Sequence, residues 1–319
     1  MFQRRLPAPD GSSFLFGPRG TGKSTWLAEV LPDAVTYDLL DTSLALRMAR
    51  EPGLLARELA AVDRKRWIVI DEVQKVLALL DEVHRMIEKE RRRFVLSGSS
   101  ARKLRRGGTN LLAGRAVQLD LFPLVASEIG APPPLERLQF GMLPKAYGTA
   151  RPQRFLSSYV TTYLKEEIQA EALTRNIGGF ARFLEVAAIH NAQVTNTSNI
   201  ARDAQVARQT VQGYFEVLVD TLLGSWLHAW KLKRATKLVA HPKFYFFDAG
   251  VARALSARLA YPPTHEELGA IFETYLLHEL RAYLSYTERA YPLYFFRTFD
   301  DVEVDVLFES AQGMVAIEF

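Results

Sequence analysis

The sequence of 319 residues contains no cysteine. That excludes disulfides and thiolate metal sites. The six histidines are scattered, and none shows ligand spacing of the H-x₃-H kind. No apolar run approaches the roughly 20 residues that a membrane span needs. The opening Met1-Phe2-Gln3-Arg4-Arg5 runs into prolines and Asp10 without the apolar core of a signal peptide. A cytoplasmic protein with no membrane partner is therefore expected. Internal repeats and low-complexity tracts are missing too. The net charge is only +4, which permits an anionic partner without requiring one.

What is present is an ordinary globular composition, 48% hydrophobic and 24% charged, in a chain long enough for two or three domains. Short apolar runs at 13–16, 34–39, 67–70 and 93–96 alternate with helical stretches at 23–31, 43–62 and 77–90. This alternation predicts an α/β domain, a parallel sheet with helices on both faces, over residues 1–131. Ala131-Pro132-Pro133-Pro134 marks a boundary, and residues 132–177 read as a helical lid or linker with helices from Arg154 onward. Helical periodicity runs from Phe180 to Leu227, inside a segment 178–240. Residues 241–319 mix short strands with a long helix near Gly269–Tyr286, an α+β pattern.

The strongest motif is Gly17-Pro18-Arg19-Gly20-Thr21-Gly22-Lys23-Ser24-Thr25, a complete G-x₄-G-K-[ST] between a strand and a helix. Glycines let backbone N–H groups face phosphate oxygens, and the helix N-terminus adds its positive end. Lys23 is expected at the β- and γ-phosphates of ATP and the Ser24 hydroxyl on Mg²⁺. The run Trp67-Ile68-Val69-Ile70-Asp71-Glu72 delivers two carboxylates at a strand end. Asp71 is expected to hold Mg²⁺ and Glu72 to polarise the attacking water. The next strand ends Ser97-Gly98-Ser99-Ser100. Ser99, or alternatively Ser97, is a candidate to hold that water, and helix capping explains either equally well. Arg115 is a candidate to act on a neighbouring subunit's ATP, in competition with Arg102, Arg105 and Arg106.

These stretches, with Ile70-Asp71-Glu72-Val73-Gln74-Lys75 and Leu112-Ala113-Gly114-Arg115, resemble AAA+-type P-loop ATPases of bacteria and archaea that carry a C-terminal domain of unknown function. The resemblance extends through 199–221, the stretch His241-Pro242-Lys243-Phe244-Tyr245-Phe246-Phe247-Asp248-Ala249-Gly250, Phe272-Glu273, Glu279-Leu280 and Glu303-Val304-Asp305. It implies a ring of identical subunits, a hexamer, because an arginine acting in trans needs a neighbour.

Residues 198–218 have helix-turn-helix spacing. Ala201 suits a close helix crossing, and Val206, Val211, Phe215 and Leu218 form the expected shared core. A second helix starting near Ala207 would display Arg208, Gln209 and Gln212, with Lys233 and Arg234 on a basic wing. Such a winged module either meets DNA or packs on a partner domain. Gln205 stands where glycine is usual at the turn.

Glu273, Asp305 and Glu318 follow the order of carboxylates in PD-(D/E)XK nucleases and are a candidate second Mg²⁺ site. The resemblance predicts a lysine just past Phe319, so the chain is expected to be cut there. Without that lysine no efficient cleavage is expected. The functional expectation is an ATP-hydrolysing oligomer acting on branched, junction or single-stranded DNA. The alternatives are a nucleotide-switched scaffold and an ATP-gated nuclease.

Overall fold

Each of the four strands expected before residue 100 is formed, and they pair in parallel. The computed structural model describes residues 2–99, 114–164, 176–230, 241–298 and 302–319. In it β1 (Ser13–Phe16), β2 (Val35–Asp38), β3 (Trp67–Asp71), β4 (Arg93–Gly98) and β5 (Val117–Asp120) form one sheet. Its strand order is β2-β3-β4-β1-β5, all parallel. The apolar runs of β1, β3 and β4 are continuous because helices cover both faces of a parallel sheet. Phe14, Phe16, Ile68, Ile70, Phe94 and Leu96 are buried with Leu55, Leu59, Val83 and Met86 from the helices. Each such side chain contributes about 1.5–3 kcal/mol.

The helices are α1 (Lys23–Val30), α2 (Thr42–Arg50), α3 (Leu54–Leu59) and α4 (Leu79–Glu90). The single helix expected over 43–62 is thus two. Pro52 removes a backbone donor and Gly53 weakens the helix beside it, so the chain breaks between them and α2. The Asp41 side chain caps α2 by accepting from the Ser43 and Leu44 N–H groups.

This unit comprises Arg4–Phe122 with Asp220–Leu222. A second comprises Met1–Gln3, Pro123–Val219 and Leu223–Phe319. The second holds α5 (Pro152–Ser158), which continues as a π-helical turn over Tyr159–Leu164, then α6 (Ile177–Ile189), α7 (Thr197–Asp203), α8 (Arg208–Asp220), α9 (Ala249–Leu255) and α10 (His265–Tyr286). Its strands are β6 (Gly224–Ala229), β7 (Lys243–Phe246), β8 (Tyr294–Arg297), β9 (Glu303–Ser310) and β10 (Gly313–Ile317), in the order β10-β9-β8-β6-β7.

One expectation is corrected here. The helical pattern read through 227 ends at α8, because Gly224–Ala229 is a strand. The boundaries expected at 177/178 and 240/241 both fall within this unit. The second separates β6 from β7, which pair antiparallel as Trp226↔Phe244, and β6 also pairs β8 in parallel. Gly224 is required at this contact, since a Cβ there would lie 2.3 Å from the Phe244 ring. Phe183, Tyr214, Phe215, Trp226 and Phe244 form a continuous aromatic core, with Phe183 and Phe215 edge to face at 4.9 Å. The start of α10 is fixed by a capping box between Thr264 and Glu267.

Candidate nucleotide site

The loop between β1 and α1 is shaped by its glycines. Gly20 and Gly22 have φ of 87° and 90°, values that side-chain-bearing residues rarely adopt. Gly17 has no room for a side chain, because a Cβ would lie 2.4 Å from the Leu121 carbonyl oxygen. Gly22 is the N-cap of α1 and offers no side-chain acceptor to the first turn. The loop is braced from behind, where Arg4 donates to the Thr21 carbonyl at 2.6 Å and to the Phe122 carbonyl at 2.5 Å. Thr21 Oγ1 donates to the Pro18 carbonyl at 2.9 Å. Arg19 is half-buried and Thr25 exposed.

Lys23 is buried, with Nζ 2.7 Å from the Gly17 carbonyl oxygen and 3.4 Å from that of Pro18. Its ammonium is thereby curled back over the loop. Ser24 opens α1 and donates to Asp71 Oδ2 at 2.6 Å. The other oxygen of Asp71 accepts from Ser97 Oγ and, at 3.0 Å, from the Glu72 N–H. The topology explains this meeting. β4 lies between β1 and β3, so the ends of three adjacent parallel strands converge, and ligands of open α/β sheets bind outside such ends.

Glu72 adopts a left-handed conformation, φ 58° and ψ 43°, uncommon for a residue other than glycine and of the kind that clusters at functional sites. Its Oε2 accepts from Gln74 Nε2 at 2.5 Å and from Ser99 Oγ at 3.3 Å. Ser99 therefore meets Glu72, while Ser97 belongs to Asp71. Gln74 is the residue that sequence reasoning did not assign. It was visible only as the fourth letter of D-E-V-Q, and nothing in the spacing announced its contact with Glu72.

These groups fit a nucleotide triphosphate with Mg²⁺. The glycine conformations and the uncapped α1 terminus present donors to phosphate, and Ser24 with Asp71 supplies the hard oxygen ligands that Mg²⁺ takes. Arg115 lies elsewhere in this unit, in an ion pair with Glu88 of α4 that holds the Glu88 carboxyl below its usual range. Its competitors Arg102, Arg105 and Arg106 lie outside the described residues.

In the second unit, α7 and α8 meet through Ile200, Ala201, Val211, Phe215 and Leu218, all buried, with Val206 partly so. Gln205 takes φ 54° at the turn, so it adopts the left-handed backbone that glycine would supply more readily. Arg208, Gln209 and Gln212 are exposed at the start of α8. Arg208 Nε donates to Thr197 Oγ1 at 3.3 Å. Lys233 and Arg234 lie outside the described residues.

Among the described residues no group of three or more His, Cys, Asp or Glu side chains is arranged to hold a metal. Lys243 is 4% exposed. Its ammonium sits 2.8 Å from Glu273, 2.7 Å from Glu303 and 4.0 Å from Asp305, so a buried cation lies among three carboxylates. Burial alone would depress the Lys243 pKa. Glu273 and Glu303 outweigh it and hold the ammonium above its ordinary value. Burial likewise raises Glu273 against the pull of Lys243, and Tyr245 donates its hydroxyl to the same carboxylate. Asp305 accepts from the Phe319 N–H at 2.8 Å, while Glu318 is exposed past the end of β10.

Residues 10–130 match the family model described as an AAA domain. Residues 135–261 and 268–319 match two domains of unknown function, DUF8612 and DUF4143. An uncharacterized protein of Mycobacterium bovis is 28% identical over 306 residues, covering 92% of this chain and 67% of that protein, and one of Mycobacterium tuberculosis matches with the same figures. Among solved structures, the replication initiator DnaA bound to AMPPCP and single-stranded DNA is 13% identical, covers 67% of this chain and 83% of its own, and has a TM-score of 0.34. The AAA match and the five-stranded parallel sheet of the first unit fit a P-loop NTPase fold. No described helix is long and apolar enough to cross a membrane.

Proposed function

We propose that this protein is an ATPase whose cycle acts on DNA, working as a homo-oligomer. The observation that carries the ATPase reading is the convergence of Lys23, Ser24, Asp71 and Glu72 at adjacent strand ends, with Ser24 on Asp71 at 2.6 Å. Lys23 exchanges its carbonyl partners for phosphate oxygens, and the N–H groups of Gly20 to Ser24 orient the triphosphate. Ser24 and Asp71 hold Mg²⁺, which when bound neutralises phosphate charge. Glu72 accepts a proton from water as that water attacks the terminal phosphorus, and the bond from that phosphorus to the β–γ bridging oxygen breaks, releasing ADP and phosphate. Pro18, Arg19 and Thr25 complete the loop and its helical turn. Arg115 leaves Glu88 on assembly, in a hexamer, and reaches a neighbour's nucleotide.

The DNA reading is supported by the second unit. The turn between α7 and α8, followed by the β6–β7 hairpin, has the order of a winged helix-turn-helix. Arg208, Gln209 and Gln212 lie exposed where such modules meet bases or phosphates, and Lys233 and Arg234 would extend the contact along the wing. Branched, junction and single-stranded DNA are the candidate forms.

The test measures ATP turnover and binding against forked, junction, duplex and single-stranded DNA, with oligomer mass recorded in parallel. At least one DNA form should raise the rate, and its affinity should fall steeply with salt as phosphate contacts are lost. An unchanged rate with no salt-sensitive binding supports instead a nucleotide-switched scaffold that presents the α8 face to protein.

A further inference from the structure

We propose that Gln74 is the positioning residue for Glu72, fixing which carboxylate oxygen is left to meet the attacking water. This rests on the reading of Glu72 as the proton acceptor. Gln74 is 7% exposed, on the turn Val73–Lys75 that directly follows Glu72. Its Nε2 donates to Glu72 Oε2 at 2.5 Å and approaches Ser99 Oγ at 3.5 Å. Ser99 Oγ also donates to Glu72 Oε2, at 3.3 Å. Two donors from two elements thus converge on one oxygen of the carboxylate. That leaves Glu72 Oε1 as the oxygen available to a water. The backbone of Glu72 is itself held in the left-handed region, so chain and side chain are both constrained.

A second observation separates this role from ordinary packing. Gln74 Oε1 is buried and has no hydrogen-bond partner. A buried orphan acceptor is destabilising, and natural interiors keep few. Turning the amide over would not relieve it, because Oε1 would then face the Glu72 carboxylate with no proton between them. The amide is therefore locked by its duty to Glu72, and the fold tolerates the unsatisfied oxygen. An apolar residue of similar size would pack here without the orphan. Position 74 serves the carboxylate at the expense of stability.

The test compares Gln74→Leu, Gln74→Met, Gln74→Glu and Glu72→Gln in the full chain with Mg²⁺. ATP turnover is read at saturating nucleotide, affinity by titration of a fluorescent ATP analogue, and stability from the thermal midpoint. Gln74→Leu and Gln74→Met should lower kcat by about 10–100-fold, the usual effect of a misplaced catalytic group. Nucleotide affinity should hold, and the midpoint should stay level or rise. The two variants are made together so that misfolding of one leaves the other to decide. Gln74→Glu replaces the donor by a second acceptor beside Glu72, so kcat should fall as it does in the apolar variants. Unchanged kcat in the apolar variants, or a fall in kcat accompanied by weakened binding and a lower midpoint, overturns the assignment. Glu72→Gln distinguishes the two failures. If it keeps turnover, the reading of Glu72 itself is wrong. If it stalls while Gln74→Leu turns over normally, only the role of Gln74 is lost.

Discussion

Ser24 donates its hydroxyl to Asp71 across 2.6 Å, though 47 positions separate them in the chain. The contact is made by topology: α1 leaves the end of β1, Asp71 ends β3, and β4 lies between them with Ser97 on the other oxygen of Asp71. A hydroxyl and a carboxylate held this way are poised to share a cation in place of a proton.

Lys23 supplies the charge at the other end of that site. Lys23→Ala leaves the glycine loop in place but removes the ammonium now seated on the Gly17 carbonyl. Hydrogen bonds to charged groups contribute about 1.5–3 kcal/mol, so ATP affinity should fall by about 10–100-fold. Titration with a fluorescent ATP analogue measures it. Unchanged affinity would remove the nucleotide from this loop.

Glu72→Gln preserves shape and removes the proposed proton acceptor. Turnover should fall by a factor of about 10²–10⁴, the range for a general base, with nucleotide affinity retained. Single-turnover hydrolysis separates chemistry from product release. Near-normal turnover would assign the proton to another group.

The first unit was largely legible because its signals are local. Glycine spacing, strand-end carboxylates and apolar runs report the sheet and bring Ser24 and Asp71 together, while the Pro52-Gly53 break and the contact of Gln74 with Glu72 were overlooked. In the second unit the partner of the carboxylates is remote in sequence, so spacing does not show it. Glu273 and Asp305 read as metal ligands, yet the cation they meet is Lys243, delivered by β7. Similarly, Glu279 accepts from the Ala126 N–H at 2.7 Å, a contact no spacing reveals. The D-A-G run at 248–250 also has a structural basis. Asp248 caps α9, and a Cβ at Gly250 would lie 2.3 Å from the Phe140 carbonyl oxygen.

Lys243→Met tests whether the buried ammonium holds this cluster together. Removing it leaves Glu273 and Glu303 without their shared cation, and breaking a buried pair on one side costs about 3–5 kcal/mol. The thermal midpoint should drop markedly. Adding Glu273→Leu to the same chain should recover part of the loss, since the stranded carboxylate is then gone. A midpoint unmoved by the single substitution would show that the cluster is solvated and contributes little.

Asp248 makes stability depend on pH in a direction opposite to most carboxylates. Burial pushes its pKa up to about 6, against the pull of the backbone N–H groups of Met142 and Val251 that it accepts. A carboxyl raised in the folded state binds its proton more tightly there than in the unfolded chain. Its contribution is therefore fully present below the ordinary value near 4 and is lost as pH rises through about 6. A shift of this size corresponds to up to about 3 kcal/mol. Asp248→Asn removes the charge but keeps an oxygen for one of the two N–H donors. The comparison is the difference in thermal midpoint between the native chain and Asp248→Asn, measured from pH 4 to pH 7. The native chain should lose ground to the variant between about pH 4 and pH 6, and the trend should flatten from there to pH 7. A difference that stays constant would mean that Asp248 is charged throughout and that the backbone donors, not burial, set its proton affinity.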